Sequence, residues 1–332
     1  MTAGEDFKEL YDDYLRKVET QLECIVKDKH PESMYAPFHY LITGGGKRIR
    51  PVLAMICAGA VGGNPDDALD CGVAIELLHN FTLVHDDIMD RSPLRRNRQT
   101  VHEKWNEASA ILTGDVMIGF AYNLLPNSKQ HARSDEIYKT FTRGLIEVCE
   151  GQAYDMDFNE KKDVSLIDYL NMIDKKTAKL LETAAMIGGT IGMGSNEELN
   201  SLQTYANCLG IAFQVQDDLL DLTAEQAELG KRIGQDLFEG KKTFLIIKAI
   251  EKAKDENDKN LLNEFVNNNG LMNENQLPQM IDLFTRLNVF DDAVSFADSY
   301  FNKAKKSISN LKENQYTQML HWLVDTLDKR KK

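Results

Sequence analysis

The chain has 332 residues, 42% of them hydrophobic and 27% charged, with a formal net charge of −13 at pH 7. Such a composition supplies a sizeable core but no basic face, which argues against nucleic acid as a partner; an anionic ligand would need local Lys and Arg, or bound cations, set against the overall sign. No segment approaches the roughly 20 apolar residues that span a bilayer, and the N-terminal MTAGEDFKELYDDYL lacks the basic-then-apolar pattern of a leader, so the expectation is a cytoplasmic protein without a transmembrane segment.

Apolar residues recur at helical spacing from the start, where Leu10, Tyr14, Val18, Leu22 and Ile25 form one face. Gly44-Gly45-Gly46-Lys47-Arg48-Ile49-Arg50-Pro51 reads as a glycine-rich loop opening a helix, with backbone donors and three cations fit to cradle a diphosphate. It is not a P-loop, because GxxxxGK[ST] is unmatched and no strand precedes it; the bland alternative is a helix end followed by solvated arginines. The run AIELLHNFTLV then leads into His85-Asp86-Asp87-Ile88-Met89-Asp90, followed by a loop from Arg91 to Thr100 that carries Arg95 and Arg96. Another loop is expected around Asn159 to Val164. Lys175-Lys176-Thr177 reads as opening a helix whose apolar face is Leu180, Leu181, Ala184, Ile187 and Ile191. A second apolar run, CLGIAFQVQ, leads into Gln216-Asp217-Asp218-Leu219-Leu220-Asp221, and the loop from Thr223 to Lys242 carries Lys231, Lys241 and Lys242. The polar run from Lys254 to Gln276 reads as a variable excursion.

Strand-like alternation is scarce, and most of the seven prolines stand near expected helix ends. The expected fold is therefore all-α, a single large helical domain over residues 1–332 with no short repeat. Five cysteines (Cys24, Cys57, Cys71, Cys149 and Cys208) lie far apart without CxxC spacing, so they read as reduced, buried thiols rather than a zinc or disulfide framework.

The two aspartate boxes carry the chemistry. If the helices continue through them, Asp86 and Asp90 project from one face a turn apart, as do Asp217 and Asp221. Carboxylates crowded at the end of an apolar helix repel one another and are costly to desolvate. One such box reads equally well as a solvated helix end. Two matched boxes call for a metal, and all-oxygen donors with spare coordination positions suit Mg²⁺ bridged to phosphate oxygens. Neither box continues into an EF-hand loop. The cations near each box then read as diphosphate contacts, with guanidinium forks at Arg95 and Arg96 suited to phosphate and the lysines after the second box on a segment able to close over the site.

In this order, GGGKRIRP, DDIMDRSPLRR, GQAYD, KKTA, FQVQDDLLD and GKRIGQDLFEGKKT strongly resemble the trans-isoprenyl diphosphate synthases. The resemblance implies a helical bundle around a deep central cavity, usually paired as a homodimer, that condenses isopentenyl diphosphate with an allylic diphosphate. It implies three Mg²⁺ ions, two on Asp86 and Asp90 and one on Asp217, with Asp87, Asp218 and Asp221 in support. By the same resemblance Lys47, Arg50, His79 and Arg96 hold isopentenyl diphosphate, Arg95, Lys176, Lys231 and Lys241 hold the allylic diphosphate, and Thr177, Phe213 and Gln214 line the reacting centre. Gln152 and Asp155 are weaker assignments. Terpene cyclases share the aspartate motif but need no second diphosphate site, and a non-catalytic subunit would not need both boxes and both basic sets.

Product length is expected to be set on the helix carrying the first box. A helical turn rises about 5.4 Å, close to one isoprene unit, so Thr82, Phe81 and Leu78 act as successive depth marks before Asp86. Phe81 is large enough to form a floor and Thr82 too small to block early. This pattern resembles geranylgeranyl diphosphate synthases more than farnesyl-making relatives, and the expected main product is the twenty-carbon diphosphate, with the fifteen-carbon one as runner-up.

Overall fold

The computed structural model describes residues 3–126, 131–223 and 233–329. Helix α1 (Ala3–Val26) buries Tyr14, Val18, Leu22 and Val26, one stripe at a spacing of four. It is followed by α2 (Glu32–Ile42), α3 (Ile49–Ala60) and α4 (Leu69–Met89). Every residue from Pro51 to Ala60 and from Cys71 to Leu78 is buried. Helices apolar on all sides belong inside the fold, and α3 and α4 pack on each other there.

A hairpin of β1 (Leu94–Arg95) and β2 (Arg98–Gln99) precedes α5 (Val101–Lys104), α6 (Glu107–Asn123) and α7 (Ser134–Glu160). Helix α8 (Leu166–Ile173) runs through a π-turn (Asp174–Ala178) into α9 (Lys179–Ile191), and α10 (Asn196–Thr223) packs on α9. Then come α11 (Gln235–Phe238), α12 (Phe244–Lys252), α13 (Glu256–Asn267), α14 (Gln276–Arg286), α15 (Val289–Ser307) and α16 (Gln315–Asp328). One hydrophobic cluster extends from Tyr14 to Leu327. The fold is all-α, as expected, and no described helix is long and apolar enough to cross a membrane.

The structure departs from the sequence reading in four places. The loop from Arg91 to Thr100 contains the hairpin, whose register pairs Leu94 with Gln99 and Arg95 with Arg98. Its two apex residues, Arg96 (φ 51°) and Asn97 (φ 59°), adopt the left-handed conformation of a type I′ turn. Lys175-Lys176-Thr177 does not open a helix but forms the π-turn inside one. The polar run after Lys254 is largely helix: Asp255 caps α13 through the Asn257 N–H, and Leu262 and Phe265, three apart, bury its inner face. Cys57, Cys71 and Cys208 are buried, whereas Cys24 and Cys149 are exposed.

Candidate active site

The first box closes α4. Asp86 and Asp87 lie in its last turn and Asp90 is the C-cap, its N–H bonded to the Asp86 carbonyl at 2.8 Å. A helix C-terminus carries partial negative charge, so the fold places three carboxylates where the backbone disfavours them. Surrounding protein strips water from Asp86 and pushes its pKa up to about 6; Lys176 opposes that rise and Asp90 adds to it. Asp90 is likewise raised by desolvation, against Lys241 and Lys176. Asp87 points elsewhere: it is buried and accepts from Arg95 Nε at 2.7 Å. Arg95 is therefore tied to the first box itself.

The second box lies on α10 and has a different construction. Asp217 is partly exposed and, with Asp218, lines a cavity of about 180 Å³ whose walls include Lys176, Thr177, Gln214 and Lys241. Asp218 is buried and accepts from Tyr169 Oη at 2.6 Å, Gln214 Nε2 at 3.1 Å and the Phe244 N–H at 3.1 Å. Burial, then repulsion from Asp236, lifts it to about 7. Asp221, also buried, takes the Asp236 N–H on its carboxylate at 3.2 Å and the Gly234 N–H on its carbonyl at 2.9 Å, which anchors α11 and the lysines that follow.

The lysines stand between the boxes. Lys176 Nζ donates to Asp155 Oδ2 at 2.5 Å while its charge reaches Asp86 and Asp90. Lys241 pairs with Glu239 at 2.8 Å, and Lys242 donates to the Phe158 carbonyl at 2.6 Å. Thr177 Oγ1 donates to Gln214 Oε1 at 2.8 Å. Phe213, partly buried, packs on the hydrophobic core. Lys231 lies outside the described residues.

The glycine-rich segment converges with the hairpin. Arg96, at the apex, donates to the Gly45 carbonyl. Tyr11 donates to the Lys47 carbonyl from α1. Arg50 Nη1 is 3.2 Å from His79 Nε2; because a guanidinium only donates, the imidazole accepts there. His79 is held neutral, its pKa well below the usual histidine value through burial and then the charges of Arg50, Arg96, Arg95 and Arg48. The sequence reading missed the counter-charge. Glu76 is buried, accepts from Arg48 Nη1 at 2.7 Å, and is the attractive partner felt by Arg50 and Arg96. Its signal was a lone carboxylate within the apolar run CGVAIELL. Arg48 (φ 46°), like Arg96, is held left-handed, so two arginines of this cluster carry backbone strain.

The depth marks lie on α4. Leu78 is wholly buried, Thr82 Oγ1 donates to the His79 carbonyl at 2.8 Å, and the Phe81 ring meets His85 edge-on at 4.6 Å between centroids.

Among the described residues no three Asp, Glu, His or Cys groups converge into a closed metal cage. The available donors are the carboxylate oxygens of Asp217 and of Asp86 and Asp90, the latter two lifted in pKa by desolvation, beside lysines that only donate. Such a set fits a hard divalent cation that keeps coordination positions for phosphate oxygens. Among the buried polar atoms of the described residues that make no hydrogen bond are Arg48 Nε, Arg50 Nε and both polar atoms of the Gln152 amide, which is 7% exposed.

A helical fold that lines one cavity with carboxylates and lysines, sets those lysines within electrostatic reach of a second carboxylate cluster and adds a guanidinium cluster defines a phosphate-handling enzyme. The polyprenyl synthetase family profile matches residues 31–284. A short chain isoprenyl diphosphate synthase of Methanothermobacter thermautotrophicus is 36% identical over 94% of this chain and 95% of its own length. A geranylgeranyl diphosphate synthase of Methanosarcina mazei is 43% identical over 71% and 73%. The crystal structure of a geranylgeranyl pyrophosphate synthetase from Pyrococcus horikoshii superposes with a TM-score of 0.89 at 33% identity, covering 98% of this chain and 99% of that one. The chain belongs to the polyprenyl synthetase family and is a prenyltransferase.

Proposed function

We propose that residues 1–332 act as one catalytic domain that condenses isopentenyl diphosphate with allylic diphosphates, with the twenty-carbon geranylgeranyl diphosphate as main product. The observation that carries this reading is the pairing of two unlike basic sets: Lys176 and Lys241 between the boxes, and Arg48, Arg50 and Arg96 around neutral His79. Two diphosphates need two such sets.

Asp86, Asp90 and Asp217 would hold three Mg²⁺ ions, which when bound neutralise charge growing on the departing diphosphate. Lys176 and Lys241, with Lys231, orient the allylic diphosphate; Arg95 braces Asp87. Arg50 and Arg96, with Lys47 and His79, hold isopentenyl diphosphate. Its neutral imidazole lets His79 accept from Arg50 and set that guanidinium for the ligand. The allylic C1–O bond breaks with its electron pair leaving on diphosphate, the double bond of isopentenyl diphosphate attacks C1, and a C2 proton passes to the released diphosphate. Thr177 and Gln214, hydrogen-bonded to each other, and Phe213 border the reacting carbons. Gln152 is assigned to the same site on the family resemblance and its unspent amide.

The exposed apolar side chains Ile111, Leu112, Tyr138 and Ile146 on α6 and α7 support pairing of two copies through that face. The experiment is condensation of labelled isopentenyl diphosphate with farnesyl diphosphate by the purified chain in Mg²⁺, followed by chromatography of the dephosphorylated products. A twenty-carbon alcohol is expected; no condensation overturns the reading, and a fifteen- or twenty-five-carbon main product overturns the assigned length.

A further inference from the structure

We propose that Lys179 is a positioning residue for Lys176, which orients the allylic diphosphate, and Thr177, which borders the reacting carbons: paired with Asp174, it selects the π-turn that aims them. The inference rests on the reading of the site given above.

The π-turn is closed by the Lys179 N–H, which donates to the Asp174 carbonyl five residues back. In an α-helix, positions five apart stand roughly 140° apart around the axis, and their side chains do not meet. The wider turn brings them together, and Lys179 Nζ lies 3.9 Å from Asp174 Oδ2. This ion pair is thus specific to the π conformation. An α-helical register would separate the charges.

Both partners are fixed from outside. Asn207 on α10 donates to Asp174, and Lys179 donates to Glu182 at 2.9 Å and lies 3.8 Å from Glu147 on α7. Burial disfavours the ammonium, yet Glu182, Asp174 and Glu147 hold its pKa above the usual lysine value. Two glycines confine the turn's main chain. A Cβ at Gly151 on α7 would meet Lys176 N at 2.3 Å, and one at Gly210 on α10 would meet Ala178 Cα at 2.5 Å. With the backbone held between two bare helix surfaces, the 174–179 pair decides the register. Losing one residue's worth of bulge would rotate Lys176 and Thr177 by about 100° relative to an adjoining helix. That rotation breaks Lys176–Asp155 and Thr177–Gln214 together.

The test compares Lys179→Met and Lys179→Arg with wild type in steady-state kinetics for both substrates, alongside thermal unfolding. Lys179→Met is expected to raise the allylic KM and lower kcat by about tenfold each, with the isopentenyl diphosphate KM within about twofold of wild type. Lys179→Arg, which keeps the charge at Asp174, should recover most of the allylic KM. Unchanged constants in Lys179→Met, or an equal rise in both KM values, overturn the inference. A purely structural role would lower Tm without splitting the constants. Should Lys179→Met fail to fold, Asp174→Asn, which keeps a partner for Asn207 but removes the charge facing Lys179, carries the same test. A wild-type chain that makes no prenyl product overturns the underlying reading; an active wild type with an unaffected variant overturns this inference alone.

Discussion

The two aspartate boxes share a spelling and differ in construction. In the first, Asp86 and Asp90 lie within electrostatic reach of Lys176, and the middle carboxylate, Asp87, accepts from Arg95. In the second, Asp218 accepts from three protein donors and Asp221 from the backbone of the following segment, while Asp217 lines the cavity together with Asp218. A motif therefore says which residues are carboxylates, while the packing around it says which of them the protein itself ties down.

The largest effect expected from this difference is catalytic. Asp86→Ala and Asp217→Ala should each lower turnover by about a thousandfold or more, roughly 4 kcal/mol of transition-state stabilisation, with little change in Tm; chelation by EDTA should abolish activity. Near wild-type turnover in either variant would break the comparison at its first step. The next effect is on folding. Asp218→Ala strands the Tyr169 hydroxyl, the Gln214 amide and the Phe244 N–H, and it should cost about 1–3 kcal/mol in chemical denaturation, whereas Asp90→Ala should leave the midpoint near wild type. Equal stabilities for the two variants would mean that the boxes are not divided as described.

Much of this was legible in the sequence because it is local. The boxes, GGGKRIRP and the helical periodicity are each spelled within a few turns of chain, and the structure brings Asp217, Lys176, Thr177, Gln214 and Lys241 to one cavity. The rest depends on partners remote in sequence. The π-turn reads as a helix start in the sequence because Lys175 and Lys176 look like a polar boundary; the glycines that confine its main chain, Gly151 and Gly210, lie on other helices. Glu76 carries no local sign of its role because its partner Arg48 is 28 residues away. Helix α13 was hidden by its polar composition, since a surface helix needs only Leu262 and Phe265 turned inward to hold it.

A smaller effect separates the two basic sets. Arg96→Ala should raise the KM for isopentenyl diphosphate by about tenfold while moving the allylic KM little, and Lys241→Ala should do the reverse. Both constants must be measured in both variants. Parallel changes would merge the two sets into one site and remove the division of labour between the glycine-rich segment and the second box.

The smallest energetic effect, and the most visible one, concerns length. The tail of the growing product is proposed to run from the first box back along α4, where Phe81 lies five residues before Asp86 with its ring against the His85 imidazole. Removing that ring opens space of about one isoprene unit, because a helical turn and an isoprene unit are of similar length. The reacting carbons do not move, so Phe81→Ala should keep turnover within about threefold of wild type while shifting products beyond twenty carbons. Thr82 lies closer to the box and is anchored by its hydroxyl to the His79 carbonyl; Thr82→Phe places a ring earlier in the path and should shorten the product toward fifteen carbons. Chromatography of the dephosphorylated alcohols reads both shifts in one experiment. Leu78, wholly buried in the core, supplies the control: Leu78→Ala should leave a cavity, cost about 2–5 kcal/mol of stability and lengthen the product only when combined with Phe81→Ala. If wild type, Phe81→Ala and Thr82→Phe give one product length, the floor lies off α4 and the first box does not set the depth of the site.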